Sequence, residues 1–538
     1  MLAKSNTPPT CASRPIATVP LFSLLMVVAT GDCSSSARSA AGGGSGPGGA
    51  TAVTISPGQC SGSGYACWVP KCAVSGEGTI VTGTVYDPSG RNPVYGAVVY
   101  IPDQPDQITD LPKGQGNLCG RCVQPRANVV TGAVTSPDGS FRLAGAPVGQ
   151  QIPLVVELGK WRRMTFVNVA TPCAGNAILD PDLTRLPRSR SDGEKASLPK
   201  IAIAAGAADR LQCLLLRMGV EANEFTNADG SGSITIYNQP QALGPDPSGR
   251  YAAEYNGGAI FPDAGALWSD LGQLSKYDMV FLACAGNQAA TDPTRTIPNP
   301  ISELAKAGMV KYMASGGRVL GEHYNWAWIK SYPPKSGDSG GAPSPLDADI
   351  ASWYPYLDPS DPASSAVSAG STVDVLVDVS FPKGKDFAEW LLAAKATEKL
   401  GTFPMRGDVK RTAIDQLPTV PSAQRWLYQA ASAIDPGASA AYVHHLSFNL
   451  SSSGQIIDRQ ATDAANLCGR FVYTGLHVDS SDSTHASDLS DENKTAPFPT
   501  CCASGALSPA EKAIEFMVFD LSACLSPDAA RASDRVVF

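Results

Sequence analysis

Histidine is scarce in this chain, with five in 538 residues, and charged side chains make up only 17% of it. Few positions can therefore carry acid–base or metal chemistry. Positive charge is not in excess. A net charge of −8 excludes a general binder of nucleic acid or anionic membrane, whose affinity rests on Lys and Arg neutralising phosphates. The longest apolar run near the start, residues 19–29, is too short to span a bilayer stably. The turn after the strand-like residues 200–204 has a lone Gly206 in place of Gly-x-Gly-x-x-Gly, so a dinucleotide is not supported. No long alternation of strands and helices occurs, which disfavours an eightfold βα barrel. The acidic stretch 479–492 lacks EF-hand spacing and reads as a solvated loop.

Length and cysteine supply the first positive readings. A chain of 538 residues exceeds one ordinary core, so two or three domains are expected. Of 14 cysteines, Cys11 and Cys33 lie in the leader region, six more precede residue 200 and six follow it. Even numbers in each half suit disulfides formed within each half in an oxidising compartment. Arg14 ahead of residues 19–29 has the layout of a signal peptide. Gly31-Asp32-Cys33, followed by Ser, Gly and Ala, resembles the start of a bacterial lipoprotein with Cys33 as the lipid attachment point. Asp32 departs from the small residue usual there, and simple cleavage is the rival. Residues 1–33 are thus read as leader and 34–56 as a flexible Gly/Ser-rich linker.

Residues 57–181 read as a cysteine-stapled β-sandwich. Short strand-like runs at 81–86, 97–101, 131–135, 141–143 and 153–158 are separated by Asp87-Pro88 and Asp138-Gly139 turns. Gly83-Thr84-Val85, Tyr95-Gly96-Ala97-Val98, residues 136–141 and Pro147-Val148-Gly149 make the segment similar to the carboxypeptidase regulatory-like domain. That resemblance implies a transthyretin-like fold and a non-catalytic accessory. Lys160-Trp161-Arg162-Arg163 is read as an outer strand end, with long basic side chains lying over Trp161. The Arg-, Ser- and Pro-containing residues 182–198 are expected to form an interdomain linker.

From residue 199 the period changes. The run 279–283 is a buried strand, 301–313 has helical spacing, Gly316-Gly317 stop it, and Arg318-Val319-Leu320 begin a second strand. Leu211, Leu214, Leu215 and Met218 mark a helix after Gly206, with Asp209 placed in its first turn. Residues 333–465 read as a partly β insertion, 468–477 as a returning strand, and Ser508-Pro509-Ala510-Glu511 as a helix-starting capping box. Tyr277-Asp278, Gly316-Gly317 with Glu322-His323, and residues 469–477 resemble the class I glutamine-amidotransferase-like fold, in particular its ThuA-like branch. The fold class expected is multidomain: a transthyretin-like β-sandwich, then a flavodoxin-like α/β domain over 199–538 with that insertion. In amidotransferases the strand after Gly-Gly ends in an elbow bearing the nucleophilic Cys. Here the place holds Glu322-His323, and Cys284 ends the preceding strand, so thiolate release of ammonia from glutamine is not expected.

Candidate catalytic residues are Glu322, His323 and His477, at carboxyl ends of strands where chemistry in such sheets collects. An imidazole beside a carboxylate can serve in acid–base work or hold a divalent metal. The competing reading is a pair of buried structural histidines. Tyr324 and Trp326 are candidate stacking residues, with Asp479 as a polar ligand contact. His444 and His445, adjacent on a strand, point to opposite faces and cannot share one site. Gly337-Asp338-Ser339-Gly340-Gly341 spells a protease motif in the wrong context, and Arg406-Gly407-Asp408 reads as a turn. The expected function is an exported cell-envelope binding or structural protein with a non-catalytic core. The alternative is a carbohydrate-active or metal-assisted hydrolase. No cofactor is expected beyond a divalent metal. Partners would be polysaccharide or another envelope component, with no nucleic acid and membrane only through the lipid anchor.

Overall fold

A computed structural model describes residues 62–73, 76, 78–112, 114, 119, 128–240, 246, 248–285, 301–329, 345–346, 352–353, 372–406, 414–416, 422–429, 442–461, 466–478 and 495–530. The leader with Cys33, the Gly/Ser-rich linker, the protease-like string and Asp479 lie outside them. Among the described residues no helix is long and apolar enough to cross a membrane.

The first half is β-rich. Its strands are β1 (Ile80–Thr84), β2 (Val98–Pro102), β3 (Val129–Val134), β4 (Ser140–Ala144), β5 (Gly149–Leu158), β6 (Trp161–Val169), β7 (Gly175–Ala177) and β8 (Glu194–Ser197). They form a three-stranded sheet, β4-β1-β7, and a five-stranded sheet, β3-β2-β5-β6-β8. Alternation fixes the faces. Ile152, Leu154 and Val156 of β5 join Val81, Phe141 and Leu143 in one apolar core, while Val155 belongs to a separate cluster with Val98, Tyr100 and Met164.

The segment expected to link two domains is folded into this half. It holds a short helix, α1 (Pro181–Thr184), and β8, which pairs antiparallel with β6. Arg185 is buried and bridges Asp182 at 2.7 Å and Asp192 at 2.5 Å. Its arginines pair with carboxylates and so order the segment; a polar composition alone could not reveal this.

The second half is organised on one large sheet. Its strands are β9 (Ile201–Ala205), β10 (Ile234–Asn238), β11 (Met279–Leu282), β12 (Arg318–Glu322), β14 (Thr372–Val377), β15 (Thr402–Arg406), β17 (Gln424–Gln429), β18 (Tyr442–Leu450), β19 (Ile456–Ile457) and β20 (Gly469–Thr474). A separate pair is formed by β13 (Ser352–Trp353) and β16 (Ile414–Gln416). Five neighbours, β10-β9-β11-β12-β20, are parallel. The sheet then continues antiparallel through β18, β17, β14 and β15. Strands β14, β15, β17, β18 and β19, the described part of 333–465 that joins this sheet, thus extend it, where the sequence pattern predicts an insertion packed on the core. Without β18, the outer edge of β20 would expose unpaired backbone groups.

Helices cover both faces. They include α2 (Leu211–Arg217), α3 (Ala264–Trp268), α4 (Leu271–Leu274), α5 (Glu303–Ala314), α6 (Pro382–Ala393) and α7 (Pro509–Ser522). Strand alternation sends Ile201, Ile203, Met279 and Phe281 towards α2 and α7, and Ala202, Ala204, Val280 and Leu282 towards α3 and α5. Ser302 caps α5 by accepting from Ala305 N–H at 3.1 Å, and Gly316, with φ of 111°, ends it. At α7 the full capping box forms between Ser508 and Glu511, as the sequence pattern predicts.

Residues 50–538 make one compact unit, and the two halves share a core. Trp161, read from sequence as an outer strand end, is fully buried against α7. Its indole N–H donates to Ser522 Oγ at 3.1 Å, and its ring meets Phe519 edge-on. Tyr95 stacks on Phe516 at 5.8 Å, and Trp390 N–H donates to the Pro93 carbonyl at 2.7 Å. Disulfides join Cys72 to Cys173, Cys119 to Cys468 and Cys213 to Cys502. The link from Cys119 to Cys468 overturns the expectation that each half pairs its own cysteines. Cys67 and Cys524 are also disulfide-bonded. Disulfides of this number suit an oxidising, extracellular compartment.

Candidate functional site

Four adjacent parallel strands, β9, β11, β12 and β20, each end in a chemically equipped residue. Asp209 follows β9, Cys284 follows β11, Glu322 and His323 end β12, and His477 follows β20. All five are buried. The sheet register explains the convergence: Glu322 is level with Thr474 on β20, and Leu282 is level with Gly321 on β12.

Cys284 Sγ lies 3.2 Å from His323 Nδ1, and the Cys284 backbone N–H donates to Glu322 Oε2 at 3.3 Å. The His323 and His477 rings are 4.7 Å apart between centroids. His477 Nδ1 lies 2.6 Å from Asp209 Oδ2. Cys284, His323 and His477 each offer a donor atom, and these atoms all lie within 4.8 Å of one another.

The backbone is built to hold this arrangement. His323 has φ of 42°, a conformation rare and costly for a residue with a side chain. It stands where β12 turns into a short 3-10 helix, His323–Trp328. Asn325 Nδ2 donates to the carbonyls of Leu282, Ala283 and Glu322, each at 2.9 Å, and Tyr473 O–H donates to the His323 carbonyl at 2.9 Å. These bonds tie the turn to the neighbouring strands. On the other side, a Cβ at Gly206 would overlap the Cys284 carbonyl, so only glycine lets the β9 loop approach so closely.

The sequence candidates separate here. The structure brings the rings of His323 and His477 together, and Glu322 reaches the Cys284 backbone beside them. Trp326 is 7% exposed and packs in the core cluster that contains Trp268 and Trp328. Tyr324 falls in the same 3-10 helix, with its side chain outside the described residues, as is Asp479. Two members were not assigned to the site from sequence. Cys284 was visible as a strand-end cysteine. Asp209 does not sit inside its helix as expected; α2 begins at Leu211, and the carboxylate turns to His477. Its only sequence signal was its place just after a strand and a glycine turn.

No family model matches the chain, and no curated protein does. A chain from a type II cohesin–X-dockerin complex of Acetivibrio cellulolyticus, a C-terminal interface mutant, is 12% identical. The match covers 28% of this chain and 75% of that chain, with a TM-score of 0.13. A chain from an N-terminal interface mutant of that complex is 10% identical over 27% of this chain and 85% of that chain, with a TM-score of 0.14. TM-scores this low assign neither fold nor partner.

Proposed function

We propose that this is an exported cell-envelope binding or structural protein with a transthyretin-like sandwich and a flavodoxin-like, amidotransferase-like α/β core that has no acyl-transfer nucleophile. The parallel order β10-β9-β11-β12-β20, which is 2-1-3-4-5 in chain order, supports the flavodoxin-like reading. The observation that carries the functional reading is the residue at the turn after β12. His323 occupies it with a positive φ, and the only nearby thiol, among the described residues, is Cys284 on the neighbouring strand end. Disulfides support export, and Cys33 as a lipid anchor belongs to the same proposal. The test is turnover by the full chain on glutamine, simple esters and amides. No Cys284-dependent turnover is expected. Activity lost in Cys284→Ala would overturn the non-catalytic reading.

A second reading, a carbohydrate-active or metal-assisted hydrolase using Glu322, His323 and His477, is favoured by the convergence of the two imidazoles at 4.7 Å. Glycoside or ester hydrolysis lost in both His323→Ala and His477→Ala would establish it over the first.

A further inference from the structure

We infer that Cys284, His323 and His477 together bind one thiophilic divalent metal ion of the zinc class, with Asp209 as the residue that orients His477. This deepens the binding reading above by naming a ligand for its core, and it rests on that reading. Three observations carry it. The donor set is one sulfur and two imidazole nitrogens, ligands that zinc and its neighbours accept and that calcium or magnesium do not favour. The spacing fits. Bonds of about 2.3 Å to sulfur and 2.0 Å to nitrogen put tetrahedral donors roughly 3.5 Å apart. Here sulfur and one nitrogen are 3.2 Å apart, and all three donors fall within 4.8 Å.

The surroundings match as well. Metal-binding histidines commonly direct their second nitrogen to a carboxylate, which fixes ring orientation. Asp209 Oδ2 holds His477 Nδ1 at 2.6 Å, which makes Nε2 the ligating nitrogen. Glu322 fixes the cysteine by accepting its backbone N–H, and the hydrogen bonds of Asn325 and Tyr473 hold His323 in its costly conformation. The second sulfur cluster, Cys213, Cys501 and Cys502, does not compete, because Cys213 and Cys502 are joined in a disulfide. Three protein donors leave a fourth position for water or a small ligand.

The test uses the full chain, stripped with a chelator and titrated with Co²⁺, then with Zn²⁺. One equivalent of Co²⁺ should give a thiolate-to-cobalt charge-transfer band and be displaced by one equivalent of Zn²⁺, which should also raise Tm. The band should vanish in Cys284→Ser and persist in Cys501→Ser. His323→Ala and His477→Ala should each weaken binding at least 100-fold. Absence of stoichiometric binding, or a band that survives Cys284→Ser, overturns the inference. Cys284→Ser is nearly isosteric, so the test holds even if a histidine variant fails to fold. A metal-free protein without turnover would sink this inference alone, whereas Cys284-dependent turnover would sink the non-catalytic reading.

Discussion

Asp209 and His477 are 268 positions apart in sequence, yet their side chains meet at 2.6 Å. Their strands, β9 and β20, are separated in the sheet by β11 and β12. The contact therefore joins the chain after β9 to the chain after β20 across the two middle strands. Asp209 is fully buried, so removing the carboxylate cannot be offset by water at the surface. Asp209→Ala should cost about 1–3 kcal/mol of stability, with Asp209→Asn intermediate because its amide oxygen can still accept from the ring. Zn²⁺ affinity should fall by about 10–100-fold in Asp209→Ala. Denaturant midpoints with and without Zn²⁺ measure both. Unchanged values would show that the pair neither braces the fold nor orients a ligand.

The shared core makes a prediction about dissection. Phe516 on α7 lies against Tyr95 of the first half and against Phe387, Trp390 and Trp426 of the second. Phe516→Ala should destabilise the whole unit by about 3–5 kcal/mol, with a single unfolding transition. By the same packing, a fragment containing only residues 199–538 exposes the α7 surface that Trp161 and Tyr95 cover. It should aggregate or unfold at much lower denaturant than the full chain. Equal midpoints for fragment and full chain would mean that the halves fold independently.

Local chemistry explains what could be read in advance. Strands β11 and β12, helix α5 and its glycine stop, and the capping box of α7 are each announced within about a dozen residues. Glu322, His323 and His477 could be placed at strand ends for the same reason. What stayed hidden is long-range. Nothing near Cys119 points to Cys468, and nothing near Trp161 points to Ser522. The antiparallel continuation beyond β20 depends on β18 choosing that edge, a choice between distant partners that alternation alone does not make. Asp209 was legible as a helix-start carboxylate, and the reading failed because a buried imidazole offered a stronger partner than the helix dipole.

Acid should strengthen the junction between the halves. Burial pushes the Glu515 carboxyl well above its ordinary range, with Asp87 beside it adding to the effect and a hydrogen bond from Asn92 at 2.7 Å and the charge of Lys512 opposing it. Burial also raises Asp87, against hydrogen bonds from Ser89 and from the backbone of Arg91 and Asn92. Two carboxyls raised in the folded state bind protons more readily there than when unfolded. Their contribution is fully present below the ordinary carboxyl range and is lost as pH rises through the folded values. Glu515→Gln keeps the shape and removes the charge. It should gain roughly 1 kcal/mol relative to wild type at pH 8 and little at pH 4. Asp182 and Asp192, which are lowered by Arg185 among other groups, give a background of opposite sign common to both proteins. Urea midpoints of the two proteins across that range decide the matter, and a difference that does not change with pH would contradict it.

His445 should be a source of acid lability in the interior of the large sheet. It sits on β18, level with Thr474 of β20 and Leu427 of β17, and is completely buried. Neither ring nitrogen makes a hydrogen bond among the described residues. Burial, the charge of Arg470 and, to a smaller extent, His444 lower its pKa to about 3, with Asp520 opposing. Arg470 is held in place by Asp528 at 2.9 Å and Asp520 at 3.2 Å, so its positive charge cannot move away when the imidazole protonates. A histidine whose pKa is depressed on folding contributes stability above its unfolded value near 6.5, and that stability is lost as pH falls towards the folded value. His445→Leu removes the proton acceptor and buries an apolar group in its place. The variant should match or exceed wild-type stability at pH 7 and should unfold at a lower pH, because the cost of charging this site has gone. Circular dichroism during acid titration of both proteins reads the difference directly. Coincident acid transitions would place the lability elsewhere, on carboxylates such as Asp182 and Asp192, and leave His445 as an inert filler of the sheet.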